Sequence, residues 1–300
     1  MSKHSLRVSH EVPLSLLEAS REFNSFDYGL VHLFERYPKY KQFYINSRWI
    51  YDRDTLVDNS LFELGHSFDP EAFYKELVDV RPSMFIVPDV MEDGEGTKES
   101  FLTWDCSGKT DALKNLCSTR AIGVVQGKTW SEMLDTYKFM VDHADMIAIS
   151  FDLSYYQYSG EGRTRLEKLA SGRQRFVEQL INKGVWDWNK PVHLLGCSLQ
   201  KEFRYYCNNN IYNIESCDTS NPIVAAIEGL KYNGPQGLDI KPKQKLADLI
   251  EHEFTLEQIA LLQYNVQQFA IGINKQPFQP ENPVPKHLLH SNLSTNNEKE

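Results

Sequence analysis

The chain has 300 residues, of which 41% are hydrophobic, and its 41 acidic and 32 basic side chains give a formal net charge of −9. This length can bury one large core or two small ones, and the acidic balance argues against a protein coated for nonspecific binding to nucleic acid. Five cysteines without a CxxC pair, a polar start and no apolar run of about 18 residues predict a soluble protein of a reducing compartment, without a signal peptide or a membrane span.

Seven short apolar runs are predicted as β-strands. Their ends fall roughly 20 to 45 positions apart, the interval expected when a helix follows each strand. The predicted strands are residues 28–33, 55–58, 84–87, 121–126, 146–151, 192–195 and 212–215.

Capping signals mark three of the helix starts between these strands. Asp69 and Asn221 each precede a proline, an arrangement that combines an N-cap with proline at the first helical position. Residues 129–132, Thr-Trp-Ser-Glu, read as a capping box. Apolar residues recur at helical spacing after each of these starts, so we expect amphipathic helices there.

The alternation of strands and helices predicts an α/β fold, a single (β/α)8 TIM-type barrel that occupies residues 1–275. Its eighth unit is predicted from a strand at 237–240 and a helix at 256–270. The alternative is a doubly wound sheet, but no Gly-rich phosphate loop follows the first predicted strand. Residues 276–300 become Pro-rich and then polar, a composition typical of a disordered tail.

Four polar side chains stand at or just after predicted strand ends, namely Asp58, Asp89, Gln126 and Asp218. In a barrel, these positions meet at one rim, where active sites are built. Paired carboxylates suit chemistry at a sugar anomeric carbon, because one attacks or stabilises the oxocarbenium-like centre and the other handles the leaving-group proton. The plainer interpretation is that such aspartates cap helices or turns and that Gln126 only bonds loop backbone.

The segments around these residues resemble those of guanine transglycosylases. The matching segments occur in the family's order, and they are 57–60 (VDNS), 87–89 (VPD), 123–127 (GVVQG), 193–197 (HLLGC) and 216–218 (SCD). Residues 56–65, LVDNSLFELG, are particularly similar to the short phage-type 7-deazaguanine DNA transglycosylases, relatives of the tRNA-guanine enzymes. The similarity covers about residues 25–235.

The resemblance implies a catalytic role for two aspartates. Asp218 matches the nucleophile that attacks C1′ of a guanosine nucleotide and forms a covalent glycosyl intermediate as guanine leaves. Asp58 matches the general acid/base, which protonates the departing guanine and then accepts a proton from the incoming 7-deazaguanine.

The resemblance also implies four residues that bind the base. Asp89 would accept hydrogen bonds from the guanine N1–H and 2-amino groups, and the Gln126 amide would recognise O6. Gly127 and Gly196, in the matching motifs, complete the predicted substrate site.

The resemblance and the cysteine spacing together predict whether the protein binds a metal. The tRNA enzymes carry a C-terminal zinc motif of three cysteines and a histidine that this sequence lacks, and Cys197, Cys207 and Cys217 have ten-residue gaps unlike usual zinc spacings. We therefore expect no metal and no other cofactor, and interpret these cysteines as small buried residues.

The short length and the missing zinc module favour DNA over tRNA as the polymer, with a 7-deazaguanine base (preQ0-like) as the small-molecule substrate. The expected location is the cytoplasm, that of the host if the protein is phage-encoded. No membrane partner is expected, and a homodimer is left open.

Two basic runs could hold the phosphates of such a polymer. One spans residues 162–175, and the other comprises Lys231, Lys241, Lys243 and Lys245. Both also fit solvated helix faces. The histidines at 66, 143 and 193 are expected to hold loops or strands, and none of them stands with a nucleophile in a recognisable sequence pattern.

Two other classes of function stay open. Asp58, Asp89 and Asp218 could ligate a metal in a barrel hydrolase or lyase, although the His-rich strand ends common in such sites are missing. The chain could also be a non-catalytic binding subunit, but the presence of both carboxylates speaks against that.

Overall fold

A computed structural model describes residues 6–151, 153–197, 199–238 and 240–274. Within these ranges, eight strands alternate with helices. The strands are β1 (Arg7–His10), β2 (Asp27–Leu30), β3 (Thr55–Asp58), β4 (Met84–Ile86), β5 (Arg120–Val125), β6 (Met146–Ile149), β7 (Val192–Leu194) and β8 (Ile214–Thr219). The α-helices are α1 (Leu17–Ser20), α2 (His32–Arg36), α3 (Pro38–Trp49), α4 (Leu61–Leu64), α5 (Pro70–Val80), α6 (Gly94–Cys106), α7 (Lys109–Cys117), α8 (Trp130–His143), α9 (Ser154–Ser159), α10 (Arg165–Asn182), α11 (Gln200–Asn208), α12 (Asn221–Ile227) and α13 (Leu256–Asn274). Short 3-10 helices span Leu14–Leu16, Gly234–Gln236 and Leu246–Leu249.

The strands form one parallel sheet in the order β1-β8-β7-β6-β5-β4-β3-β2, so that β1 and β2 face each other at the seam of a nearly closed barrel. Single hydrogen bonds bridge this seam. The Tyr28 N–H donates to Ser9 Oγ at 3.0 Å, and the Ser25 N–H donates to the Val8 carbonyl at 2.8 Å. The predicted (β/α)8 barrel is therefore confirmed.

The eighth strand lies at the N-terminus, and its predicted position at 237–240 is wrong. Gly237 has φ +85° and ψ −146°, a glycine conformation that does not belong to a strand, and Ile240 lies in a bend. The true strand, β1, has a single aliphatic residue, Val8, and it buries Ser9 and His10 beside it. A search for apolar runs cannot find such a strand.

The strand predicted at 212–215 is displaced towards the C-terminus. Tyr212 is half exposed in a turn, whereas β8 runs on to Thr219, so that Asp218 lies inside the strand. The other six predicted strands are all present, and β3 has the predicted bounds. The other five end one to three residues earlier than predicted, because most of their apolar runs continue into the loops above the barrel.

The capping predictions are confirmed in part. Asp69 caps α5, since its Oδ1 accepts from the N–H groups of Glu71 and Ala72 at 3.1 and 2.9 Å. Thr129 caps α8, but the Glu132 carboxylate accepts from the N–H of Lys128, so the box is only half formed. The predicted cap at Asn221 is wrong, because α12 begins at that residue after Ser220.

Both faces of the strands are buried, as expected for a parallel sheet covered by helices. At the N-terminal ends of the strands, Arg53 forms a two-contact ion pair with Asp27 at 2.9 and 3.0 Å. No helix in the described ranges has the length and apolarity to cross a bilayer. The tail predicted from residue 276 lies outside the described residues.

Candidate active site

A cavity of about 390 Å³ opens at the C-terminal ends of the strands. Its volume is in the range of small-molecule sites, and this end of a barrel is where such sites occur. Five of the six predicted site residues line it, and they are Asp58, Asp89, Gln126, Gly196 and Asp218. The barrel thus brings together side chains that are far apart in the sequence.

Gly127 is the predicted site residue that does not line the cavity. It has φ +154°, and a Cβ at this position would stand 2.8 Å from the Glu132 Cβ and 3.0 Å from the Met133 nitrogen. The close approach of the end of β5 to helix α8 therefore explains why this position holds a glycine.

Asp218 is held by two hydrogen bonds to the same carboxylate oxygen. Its Oδ1 lies 3.0 Å from His193 Nε2 and accepts from the Gly196 N–H at 3.0 Å. The other ring nitrogen of His193 lies 2.9 Å from Ser216 Oγ, and the ring stacks on Tyr28. The sequence pattern gave no sign of the contact between His193 and the candidate nucleophile, because it depends on the pairing of β7 with β8, on which the two buried residues lie.

Asp58 ends β3 in a different environment. Its Oδ1 accepts from the Ser60 N–H, and this bond and the nearby Tyr28 hydroxyl both act to lower the pKa of the carboxyl. Burial raises the pKa of Asp58 well above its usual range, and the nearby carboxylates of Glu63 and Asp89 raise it further. The raised pKa favours a protonated Asp58, the form that can donate a proton to a leaving group.

Two further carboxylates, Glu11 and Glu63, line the cavity and were missed in the sequence. Burial raises the pKa of Glu63 to about 7, with a contribution from the neighbouring Asp218. Burial and the charges of Asp218, Glu63 and Asp58 raise the pKa of Glu11. Glu11 was missed because β1 was missed, whereas Glu63 lies in the motif at 56–65 and could have been found.

On the β4–β5 side of the cavity, Asp89 and Gln126 form a pair. Asp89 Oδ1 accepts from Asn59 Nδ2 at 2.8 Å, and its Oδ2 accepts from Gln126 Nε2 at 2.7 Å. Gln126 Oε1 in turn accepts from the Glu92 N–H at 3.0 Å. Burial raises the pKa of Asp89 to about 6, against the opposite effect of the two amide donors. Both Asp89 oxygens keep a lone pair, and Gln126 keeps one N–H, for a ligand.

Apolar side chains also line the cavity. They include Ile86, Met91, Phe151 and Leu195, together with the partly exposed Phe62. Apolar walls combined with a few fixed polar groups are typical of sites that bind a flat ring.

Of the two predicted basic runs, the one at 162–175 has Arg173 completely buried, in an ion pair with Glu202. That residue cannot contact a polymer. In the second run, Lys241, Lys243 and Lys245 are exposed and line the mouth of the cavity.

Residues 241–247 form this part of the cavity wall. The carboxylate of Glu228 fixes the segment by accepting from the N–H groups of Lys243 and Gln244 at 2.7 and 2.8 Å. Lys245 Nζ lies 4.9 Å from the centre of the Phe62 ring. Lys241, Lys243 and Lys245 thus form a cationic patch at the mouth of a cavity that is lined by several carboxylates.

The cysteines give a prediction about zinc. Cys197 and Cys217 are buried, and within the described ranges no three His, Cys, Asp or Glu side chains are grouped so that they could hold a metal ion. We expect purified protein to contain substoichiometric zinc, and a chelator to leave its thermal unfolding midpoint unchanged. Stoichiometric zinc whose removal unfolds the protein would contradict this expectation.

A scan against models of known protein families finds no match to the chain, and a search of curated proteins finds no relative. Any functional assignment therefore depends on the cavity itself and on the sequence motifs.

Proposed function

We propose that the protein is a base-exchange transglycosylase that replaces guanine in DNA with a 7-deazaguanine derivative. The observation that carries this proposal is that Asp58 and Asp218 share one cavity with the Asp89–Gln126 pair. The cavity thus offers two carboxylates for chemistry at an anomeric carbon and, on another wall, groups complementary to a guanine edge.

In the proposed first step, a carboxylate oxygen of Asp218 attacks C1′ of the target nucleotide. The C1′–N9 bond breaks, its electron pair goes to the guanine, and Asp58 supplies the proton that neutralises the departing base. The two hydrogen bonds to Asp218 Oδ1 orient the carboxylate, and within the described residues no hydrogen bond is made to Oδ2, which suits that oxygen for the attack.

In the second step, Asp58 accepts the proton of the incoming base. The deprotonated ring nitrogen attacks C1′, and Asp218 leaves as a carboxylate. Asp58 ends the cycle protonated, as it began, so no external acid is consumed. The raised pKa of Asp58 supports this role, because the general acid must hold its proton at the start of the cycle.

Base recognition is assigned to Asp89 and Gln126. The two free lone pairs of Asp89 suit the N1–H and 2-amino groups, and the free N–H of Gln126 suits O6. A guanine and a 7-deazaguanine present the same edge to this pair, so that one site can serve both the leaving and the incoming base.

The cationic patch of Lys241, Lys243 and Lys245 supports a polyanionic substrate. The target nucleotide must leave the base stack for its C1′ to enter the cavity, and phosphates on either side would then lie near the mouth. The patch lies there despite a formal net charge of −9 for the whole chain.

The patch gives a quantitative prediction. We expect the triple variant Lys241→Gln, Lys243→Gln, Lys245→Gln to bind DNA more weakly and to reduce the slope of log affinity against log salt by about 2 to 3. A matched control replaces three exposed lysines of the outer helices, Lys39, Lys75 and Lys138, by glutamine. DNA-binding curves measured at several salt concentrations give the two slopes. Equal slopes for the two triple variants would show that the patch does not contribute to DNA binding.

The proposed function is tested by incubating the protein with labelled guanine and either guanine-containing DNA or tRNA. We expect label to enter DNA. Label in tRNA alone would make the chain a tRNA-guanine transglycosylase. Exchange into neither polymer, together with an activity that requires a tightly bound divalent metal, would favour a barrel hydrolase or lyase instead.

A further inference from the structure

A completely buried arginine lies behind the candidate nucleophile. Arg173 of α10 donates to both oxygens of Glu202, with Nε to Oε1 at 2.6 Å and Nη2 to Oε2 at 3.0 Å. Its Nη1 donates to the carbonyls of Ile149 and Leu195 at 3.1 and 2.9 Å, and Nη2 also donates to the Gly196 carbonyl at 2.9 Å. These five contacts use all five N–H groups of the guanidinium.

One of these contacts connects Arg173 to Asp218. The Leu195 carbonyl and the Gly196 N–H belong to the same planar peptide group, in which C=O and N–H point in opposite directions. Arg173 binds the carbonyl at 2.9 Å, and the N–H donates to Asp218 Oδ1 at 3.0 Å. The guanidinium therefore fixes the plane of this peptide and, by drawing electron density to the carbonyl oxygen, makes its N–H a better donor.

The backbone around this peptide needs such a restraint. Gly196 has φ +68°, a conformation that glycine adopts freely, and it lies in the loop that follows β7. Among the described residues, a Cβ at this position would meet only the Phe151 Cβ, at 3.5 Å, so no close packing among them would require a glycine here. Hydrogen bonds from Arg173 to the carbonyls on both sides of the Gly196 Cα supply the restraint.

A stabilising role alone does not explain why this arginine is buried with its charge. Taking a guanidinium and a carboxylate out of water is costly, and hydrophobic replacement of such a pair is often neutral or stabilising. Arg173 and Glu202 are both completely buried. A charge pair in this position is better explained by what its hydrogen bonds orient.

We infer that Arg173 is a positioning residue for the nucleophile, which acts through the Leu195–Gly196 peptide on Asp218. The inference rests on the proposed function, because it assigns Arg173 to the step in which Asp218 attacks C1′. Glu202 completes the unit by neutralising the guanidinium and fixing its plane with two contacts.

The test removes the whole ion pair, so that no buried charge is left unpaired. The variant Arg173→Met, Glu202→Leu is compared with Arg53→Met, Asp27→Leu, which removes a two-contact pair at the opposite end of the barrel. Single-turnover mixing with guanine-containing DNA, followed by acid quenching, gives the rate constant and the amplitude of covalent adduct formation. Binding of the free base, which Asp89 and Gln126 are proposed to hold, is measured in parallel.

We expect the Arg173 double variant to form adduct about tenfold or more slowly, because a misplaced nucleophile loses its near-attack geometry. The amplitude of adduct formation and the dissociation constant of the base should stay within about twofold of wild type. The amplitude separates the two explanations, because a loss of folded protein lowers the amplitude and not the rate constant. The Arg53 double variant should keep the wild-type rate constant.

Each other outcome overturns the inference in a distinguishable way. A wild-type rate constant in the Arg173 double variant refutes the positioning role and leaves the proposed function intact. A lower amplitude at an unchanged rate constant assigns the pair to folding. If wild-type protein forms no adduct at all, the proposed function fails and the inference falls with it. If the double variant does not fold, Arg173→Lys serves instead, and it should lower the rate constant because an ammonium lacks the planar fork that holds both carbonyls.

Discussion

Asp218→Asn is expected to abolish base exchange and to leave the fold intact. An amide carries no negative charge and is a poor nucleophile, so the rate of exchange should fall by about 10⁴-fold or more. The substitution changes almost no volume, and Asn Oδ1 can still accept from His193 and from the Gly196 N–H. Incorporation of labelled guanine into DNA measures the first effect, and thermal unfolding measures the second.

Glu63→Gln is the matched control for this variant. Glu63 lies in the same cavity and raises the local negative charge, but the proposed mechanism gives it no bond to the substrate. The control should therefore keep exchange within about tenfold of wild type, since removing a like charge changes only the electrostatics of its neighbours. Near wild-type exchange in Asp218→Asn would remove Asp218 from the mechanism.

Asp89→Ala is expected to weaken binding of the free 7-deazaguanine by about 100-fold or more. The variant deprives two donors of the base of a charged acceptor, and hydrogen bonds to charged groups are worth roughly 1.5–3 kcal/mol each. It also leaves the amides of Asn59 and Gln126 without their shared partner, so the recognition surface loses its shape. Calorimetric titration with the free base measures the loss.

The same residue predicts how base affinity depends on pH. The acceptor is the ionised carboxylate, and burial raises the pKa of Asp89 to about 6. Wild-type affinity should therefore fall as the pH drops through about 6, and Asp89→Ala should lose this dependence.

Asp93→Ala is the control that separates recognition from a turn role. Asp93 caps α6 by accepting from the Gly96 N–H, so its loss costs about 1 kcal/mol of stability without touching the cavity. If Asp89 were only a turn residue, the two variants would both lose stability and neither would lose base affinity.

The sequence predicted the barrel because most of its strands are apolar on both faces. Residues 55–58 were found with their exact bounds. The first strand could not be found, because buried Ser9 and His10 occupy positions where an apolar run was sought. Polar groups of this strand form hydrogen bonds across the seam, such as the one that Ser9 Oγ accepts from the Tyr28 N–H. The sequence does not reveal these partners, because they meet only in the folded barrel.

The sequence predicted candidate site residues that stand at or just after strand ends, such as Asp58 and Asp89, which follow apolar runs. It did not predict roles that depend on contacts between distant residues. Arg173 looked like part of a solvated basic run, since helical spacing does not reveal that this one position turns inwards to Glu202. His193 was given only a strand-holding role, because its contact with Asp218 depends on the pairing of β7 with β8.

The most direct test of the proposed function is mass spectrometry of wild-type protein that has been acid-quenched during reaction with guanine-containing DNA. We expect a covalent protein–DNA species and, after nuclease and protease digestion, a nucleoside-derived modification on the peptide that contains Asp218, at the carboxylate of that residue. Added 7-deazaguanine should discharge the adduct and appear in the DNA. Exchange of label without any adduct, or an adduct on a residue other than Asp218, would contradict the account.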